Sequence, residues 1–561
     1  MNSPLTAASV VTFPEGKQQH KLSRLIRKEE EDTVKMLSEK YHIPYADLST
    51  VPVNVDALAV LPEEDARQAS AAVIQRVGKK LDIAVHSPED MKTKALLKRL
   101  GDQGFSSILF LVSVSSLEKA WSSYAEIHLR GPVIAGEVEV STVRLTEFRK
   151  EVKAIPDIAR LLQGVEAKRT TDILEIILAG ALETEASDIH LEPQAEHVRL
   201  RYRLDGVLND AAVLPREKYK FILSRVKLIS EIILNITDRG QDGRFTIKEE
   251  GVEIEVRAST LPGPYGENIV LRVLNPKSIA VGFADLGMQS WTRDAVAKEL
   301  AKPNGMILTT GPTGSGKTTT LYAFLREVHT PGVKIITLED PIEYHLTGIE
   351  QTQVEPEAGY DFANGLRSIL RQDPDVILVG EIRDLETAKT AMHAALTGHL
   401  VFSTIHTNNA AGTIPRLIDL GVEPAIMAPA INVAIAQRLV RKLCATCKQH
   451  YQAAPAEQAT VTGALGALPK SAPAPHWAGM LWKATGCGEC HATGYRGRIG
   501  VFEILLVDDT VEQLVFRKPS EVELKGAMKE QGQITMRQDG MLKVLAGVTD
   551  LAEVERVVGV E

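Results

Sequence analysis

Gly311-Pro-Thr-Gly-Ser-Gly-Lys-Thr318 meets every fixed position of the phosphate-cradling pattern G-x-x-x-x-G-K-[ST]. Its flanks agree with a strand-to-helix turn. Met306-Ile-Leu-Thr-Thr310 is short, apolar and partly β-branched, and Thr319-Thr-Leu-Tyr-Ala-Phe-Leu325 continues as a helix. At such a junction Gly311, Gly314 and Gly316 permit tight turning, and backbone N–H groups at a helix N-terminus point at phosphate oxygens. The candidate nucleotide-binding residues are therefore Gly311, Pro312, Thr313, Gly314, Ser315, Gly316, Lys317, Thr318 and Thr319. Lys317 is expected to reach the β- and γ-phosphates of a nucleoside triphosphate, and Thr318 to ligate magnesium.

A chain of 561 residues exceeds one core, and its length suggests about three or four domains. Its 44% hydrophobic and 24% charged content is ordinary for globular proteins, and a formal charge of −9 argues against bulk nucleic-acid binding. Met1 to Pro14 lacks the basic and apolar regions of a signal peptide, and the weakly charged window Pro424 to Gln437 is too short to span a bilayer. A cytoplasmic chain whose membrane contact is peripheral is expected. All four cysteines follow residue 440, which suits one local site in a reducing compartment.

Five regions are expected. Residues 1–164 read as a small α/β recruitment module with strands at Leu81-Asp-Ile-Ala-Val85 and Ile108-Leu-Phe-Leu-Val112 and a helix from Leu117 to Ile127. Near its start, basic Lys17 to Arg27 and acidic Glu29-Glu-Glu-Asp32 read as solvated helix faces. Residues 165–285 open with a helix from Asp172 to Thr184 and continue in alternating strands. One of these places Arg199, Arg201 and Arg203 on a single face, for solvation or for an anion. Residues 286–441 alternate apolar strands with helices, as an open parallel sheet does. Residues 442–500 hold the cysteines and an Ala/Pro-rich stretch, Ala453 to Pro475, read as a loop. Residues 501–561 read as a C-terminal helical region, with helical segments from Val511 to Val558.

Hydrolysis needs more than a phosphate loop. Val376-Ile-Leu-Val-Gly-Glu381 is a buried strand ending in an acid, where an open α/β sheet places functional groups. Glu381 is a candidate magnesium or water ligand, and Gly380 stands where a further acid usually precedes it. Ile335-Ile-Thr-Leu-Glu-Asp-Pro-Ile-Glu343 ends in Glu339, Asp340 and Glu343, and a carboxylate within reach of water is the expected general base. These patterns leave open how Glu343 and Glu381 divide the work. Of His399 and His406, the latter follows a buried strand and suits a γ-phosphate sensor. Arg367 and Arg371, four apart on a helical pattern, face either a neighbouring subunit or a surface salt bridge.

In this order Gly311 to Thr318, Glu339-Asp-Pro-Ile-Glu343, Leu378-Val-Gly-Glu-Ile-Arg-Asp384 and Thr397-Gly-His-Leu-Val-Phe-Ser-Thr-Ile-His-Thr-Asn408 resemble the Walker A, Asp box, atypical Walker B and His box of the secretion-ATPase superfamily. These are the hexameric motors of type II secretion and type IV pilus assembly. Ala186-Ser-Asp-Ile-His-Leu-Glu-Pro193, Arg201-Tyr-Arg-Leu-Asp-Gly206, Gln241-Asp-Gly-Arg-Phe245 and Arg257-Ala-Ser-Thr-Leu-Pro262 resemble that family's N2 domain. The resemblance implies an α/β chain: a RecA-like P-loop ATPase domain, a PAS-like N2 domain, a small N-terminal domain and a tetracysteine zinc module. It implies ATP with Mg2+, Glu343 as general base and Glu381 as organiser of magnesium and water. It further implies that Arg257 and Arg272, with Arg244 a weaker match, fold over the nucleotide, where guanidinium groups stabilise charge developing on the γ-phosphoryl group.

Cys444-Ala-Thr-Cys447 and Cys487-Gly-Glu-Cys490 are two C-x-x-C pairs, enough to complete a tetrahedron of thiolates around Zn2+. A redox C-x-x-C normally stands once, near a βαβ unit, so structural zinc is favoured. The resemblance agrees, since its secretion and assembly motors carry this module before a segment like Gly494-Tyr-Arg-Gly-Arg-Ile-Gly500. The expected function is a hexameric cytoplasmic ATPase at the inner membrane. It would power pilus or pseudopilus assembly through a platform protein and its cytoplasmic recruitment partner. A RecA-like nucleic-acid translocase would want basic, aromatic-studded loops that this acidic, aromatic-poor chain does not offer, so no nucleic-acid partner is expected. Lys317, Glu343 and Glu381 weigh against a nucleotide-binding scaffold without turnover.

Overall fold

The computed structural model describes residues 30–48, 55–58, 60–77, 79–124, 137–139, 152, 154–162, 170–249, 252–275, 281–469, 472 and 477–559. It divides into two compact units, residues 1–140 with 216–269 and residues 141–215 with 270–561.

In the first unit, Ala71–Val77, Lys80–Val85 and Ser106–Leu111 form a three-stranded sheet, antiparallel in its first pair and parallel in its second. Alternation sends Leu81 and Ile83 into a core shared with Leu96, Leu117 and Trp121. The helix read from Leu117 starts earlier, over Val114–Ser122, because the Ser113 side chain accepts the Ser116 N–H and caps it. Residues 125–127 of that expectation lie outside the described residues. So do Lys17 to Arg27 and Glu29. The rest of the acidic run is only partly solvated: Glu31 is buried and accepts hydrogen bonds from the hydroxyls of Tyr45, Ser113 and Ser116, which replace its water.

The same unit contains the helix Arg216–Ile229 and the antiparallel strands Gln241–Glu249 and Val252–Leu261. Lys227 is buried in an ion pair with Glu267 at 2.5 Å and also donates to the Ile236 carbonyl, so its charge is not stranded.

In the second unit the helix Thr170–Glu183 precedes strands ordered Asn268–Leu274, Asp188–Pro193, His197–Leu204 and Val207–Pro215. Strict alternation buries Val198, Leu200, Tyr202 and Leu204 and turns Arg199, Arg201 and Arg203 outward. Each arginine meets a carboxylate on a flanking strand, namely Asp210, Glu192 and Asp188 in turn. The basic face is thus a row of cross-strand ion pairs.

The seven-stranded sheet that follows comprises β1 (Gly305–Thr310), β2 (Ile335–Glu339), β3 (Glu350–Gln353), β4 (Val376–Val379), β5 (Leu400–Ile405), β6 (Ile431–Leu443) and β7 (Tyr495–Leu506), in the order β3-β2-β4-β5-β1-β6-β7. Paired strands from β3 through β6 run parallel, and β7 returns antiparallel to β6. Every residue of β1, β2, β4 and β5 is buried, which is why they read as unbroken apolar runs. One core gathers Leu338, Ile377 and Val401 under Leu366 and Met392, and a second gathers Ile307, Leu378 and Phe402 under Phe324. The parallel direction brings the carboxyl ends of β1, β2, β4 and β5 to one edge, the usual ligand edge of an open α/β sheet.

Two expectations change in the C-terminal third. β7 runs through residue 500, so the boundary read there falls within a strand paired along β6, while the helical segments expected from Val511 to Val558 are Asp509–Phe516, Glu521–Glu530, Met536–Leu545 and Leu551–Val558. Within Ala453 to Pro475, read as a loop, lies the helix Pro455–Gly466. Alanine favours helix, Pro455 occupies a first-turn position that needs no N–H partner, and Glu457 accepts the Ala454 N–H at 2.7 Å. Val461 packs it into a core with Leu481, Met541 and Val554.

The closing helix Leu551–Val558 is pinned to β6 through Glu553, which Arg441 reaches at 2.7 Å and Arg556 at 2.6 Å. Burial alone would raise this carboxyl, but the two guanidinium groups overcome it and hold it from an ordinary 4.5 down to about 2. A folded-state value below the unfolded one adds stability that is complete above about pH 4.5 and lost as pH falls through about 2, in all about 3 kcal/mol. Glu553→Gln should therefore lower the melting temperature at pH 7, with a gap to wild type that narrows on acidification from pH 5 to pH 3. A gap independent of pH would contradict this account.

Candidate active site

The phosphate loop leaves β1 at Gly311 and enters the helix α1 (Lys317–Val328) at Gly316, whose φ of +88° is left-handed. A Cβ on Gly316 would lie 2.8 Å from Gln437 Nε2, and one on Gly311 would lie 2.6 Å from the Gln437 carbonyl, so only glycine lets the loop close onto β6. Gln437 also accepts the hydroxyl of Thr320 at 2.7 Å, bracing the first turn of α1 from behind. The cradle fits phosphate: the buried Ser315 hydroxyl has no hydrogen-bond partner among the described residues, and Thr318 is exposed at the helix start. Lys317 curls over the loop and donates to the carbonyls of Gly311 and Pro312 at 2.8 and 3.1 Å. Burial lowers its pKa, the neighbouring Arg438 lowers it further, and Glu381 opposes both.

Glu381 follows β4 by two residues and is 15% exposed. Arg383 pairs with it and also lies 3.7 Å from Asp340, while His406 Nε2 stands 3.6 Å from its other oxygen. Gly380 has a structural reason: its N–H donates to the Leu338 carbonyl, and a Cβ would stand only 3.2 Å from that oxygen. An acid there would press on β2. His406 sits just past β5, whose neighbouring loop is tied to β1 by the Thr407 N–H donating to Thr310 Oγ1 at 2.8 Å. His399 is held apart, with Nδ1 2.9 Å from the Ala394 carbonyl as its donor.

The three acids after β2 separate. Glu339 is buried and accepts from Tyr322, Thr337 and Gln351; burial raises its pKa and these donors only partly offset that. Asp340 faces Arg383, and Glu343 is half-buried in the next turn. Arg367 pairs with Glu386, and Arg371 donates to the Arg367 carbonyl and Ser368, which is the surface alternative. Arg257 pairs with Glu255 at 3.2 Å, and Arg272 shares Asp188 with Arg203 at 3.1 Å. Three functional neighbours went unassigned from sequence: Arg383, Gln437 and Arg438. Arg383 lies within Leu378–Asp384, whereas Gln437 and Arg438 stand on β6, distant in the chain from the loop they touch.

The four cysteine sulfurs lie within 4.8 Å of one another. Three separations are 3.9 Å for Cys444 to Cys487, 3.8 Å for Cys447 to Cys490 and 3.8 Å for Cys487 to Cys490. A tetrahedron with Zn–S of about 2.3 Å has S···S edges of about 3.8 Å, so the thiol set fits zinc. The backbone N–H groups of Cys487 and Gly494 also point at the Cys490 sulfur, at 3.1 and 3.2 Å, as donors to a thiolate would.

Residues 165–556 match the family model described as type II/IV secretion system protein, and residues 41–130 match the MshEN domain. The chain is 44% identical over 403 residues to the type II secretion system protein E of Pseudomonas aeruginosa, covering 72% of this chain and 78% of that protein. It is 40% identical over 411 residues to the type II secretion system ATPase E of Vibrio cholerae, covering 73% and 80%. It is 35% identical over 533 residues to the type IV pilus assembly ATPase PilB of Myxococcus xanthus, covering 94% and 91%. The family match runs through the arginine-bearing strands before the sheet and the cysteine module between β6 and β7, not only through a phosphate loop of the kind many unrelated chains carry. On that extent the chain belongs to the type II/IV secretion system protein family.

Proposed function

We propose that this chain is an ATPase that powers pseudopilus or pilus assembly. It would work as a homo-hexamer at the cytoplasmic face of the inner membrane, on a platform protein and its cytoplasmic recruitment partner. The observation that carries this reading is the meeting of Lys317, Glu381 and His406 at the carboxyl edge of β1, β4 and β5. Lys317 and the loop N–H groups bind the β- and γ-phosphates. Thr318 and Glu381 are the residues that would hold magnesium, which when bound draws charge from the phosphate oxygens. Glu343 takes the proton of the attacking water, and His406 senses the terminal phosphoryl group from its place beside Glu381. Arg257 and Arg272 exchange their carboxylate partners for phosphate oxygens as the charge there grows. The N-terminal domain containing residues 41–130 serves recruitment. Cys444, Cys447, Cys487 and Cys490 would hold zinc, a closed structural ion that stiffens the connection between β6 and β7.

Glu381→Gln in the assembled protein should cut phosphate release about 100-fold or more while leaving affinity for a fluorescent ATP analogue within about twofold. Undiminished turnover would remove Glu381 from the reaction. Metal analysis should find about one zinc per chain in wild type and far less in Cys444→Ser/Cys487→Ser, whose melting temperature should fall. A wild-type chain that neither carries zinc nor gains stability from it would refute the zinc assignment.

A further inference from the structure

Tyr322 lies five residues after Lys317 on α1 and is fully buried, yet its hydroxyl joins a polar network behind the phosphate loop. It donates to Glu339 at the end of β2. It also accepts from Gln351 Nε2 at 3.4 Å, with the backbone of Glu343 close by. Its ring meets that of Tyr344 edge-on at 4.6 Å.

Side chains of β3 hold the segment between β2 and β3. Gln351 of β3 accepts the Leu346 N–H at 2.7 Å and stands 3.2 Å from both the Tyr344 carbonyl and Glu339. Gln353 accepts the Ile342 N–H at 3.3 Å. The main chain at Ile342, Tyr344 and Leu346, on either side of Glu343, is therefore anchored to β3 and, through Gln351, Glu339 and the Tyr344 ring, to Tyr322 of α1. The helix that begins at the phosphate-binding lysine also carries the group that locates the acid.

We infer that Tyr322 is a positioning residue for hydrolysis, its hydroxyl fixing the segment that carries Glu343 against the phosphate-loop helix through Glu339 and Gln351, so that the Glu343 carboxylate and the terminal phosphoryl group keep one spacing. This rests on the reading of Glu343 as general base. A buried tyrosine that merely fills the core would support fold and nucleotide binding alike. A positioning hydroxyl acts on the chemical step alone, where a displacement of about 1 Å can cost about 100-fold.

The test uses the full chain, assembled and supplied with zinc and magnesium-ATP, in four forms: wild type, Tyr322→Phe, Glu343→Gln and the double variant. Tyr322→Phe should lower kcat about 10- to 100-fold with KM for ATP and ADP affinity within about twofold. In the Glu343→Gln background the same change should alter the residual rate less than about twofold, because the group being positioned is gone. Should Tyr322→Phe fold poorly, Gln351→Met frees the other end of the same segment and should show the same loss confined to kcat. An unchanged kcat, a parallel loss of kcat and nucleotide affinity, or a full additional loss in the Glu343→Gln background would each overturn the inference. Wild-type turnover by Glu343→Gln would instead overturn the general-base reading, whatever Tyr322→Phe does.

Discussion

Gln437 meets the phosphate loop at both of its ends: its carbonyl closes on Gly311, its amide on Gly316, and its side-chain oxygen takes the hydroxyl of Thr320. Those contacts exist only because β6 lies parallel to β1 in a register that places Ala436 beside Thr310. On the other side of β1, the Thr310 hydroxyl ties the segment after β5 through Thr407. The loop is thus clamped between two strands. Any Cβ at Gly311 or Gly316 would force the clamp apart, which gives these glycines a steric reason beyond flexibility. The remaining site groups inherit their positions from the same sheet, since Glu381 and His406 extend the neighbouring parallel strands.

The charges at this edge form a compensated set. Lys317 is pushed toward neutrality by burial and by Arg438, and is restrained by Glu381. Arg438 is itself partly desolvated and donates to the carbonyls of Gln437 and Asn408, with Glu503 favouring its charge. Glu381 is shared between Arg383 and His406. A polyanion entering here meets cations already partly stripped of water, where charge–charge interactions are stronger than in bulk solvent. Arg257 and Arg272 are likewise paired, with Glu255 and Asp188.

Away from the nucleotide edge, buried ionic joints connect the C-terminal elements to the sheet and to the cysteine module. Lys543 and Asp539 form a buried pair whose carboxylate also accepts from Gln289 and the Phe502 N–H, linking the C-terminal helices to β7 and to the segment before β1. Tyr495, directly after the cysteine module, stacks under Arg441 at 3.8 Å and donates to Asp550. The thiol cluster is thereby connected to the same network that fixes the closing helix. Polar joints of this kind are costly to break by halves, because the surviving partner is left buried and unpaired.

The phosphate loop, the strands around it, the acid after β4 and the pairing of the cysteines were all legible in the residues, because periodicity, glycine placement and ligand spacing are local statements about backbone and coordination geometry. The family blocks added the order in which those elements recur. What could not be read locally is whatever depends on strand order and burial. Glu339, Asp340 and Glu343 look alike in sequence, yet one is enclosed by Tyr322 and Gln351, one faces Arg383 and one remains half-buried. Gln437 and Arg438 have no signature at all until β6 is laid against β1. The helix Pro455–Gly466 gains its core contact only through Val461, and Glu31 loses its water only when Ser113 and Ser116 fold over it. Sequence by itself determined which chemical groups are present and on what local backbone they ride. The tertiary structure decided which of them share a low-dielectric neighbourhood, since desolvation and hydrogen-bond partnership are properties of what packs together, and packing is set by residues far apart along the chain.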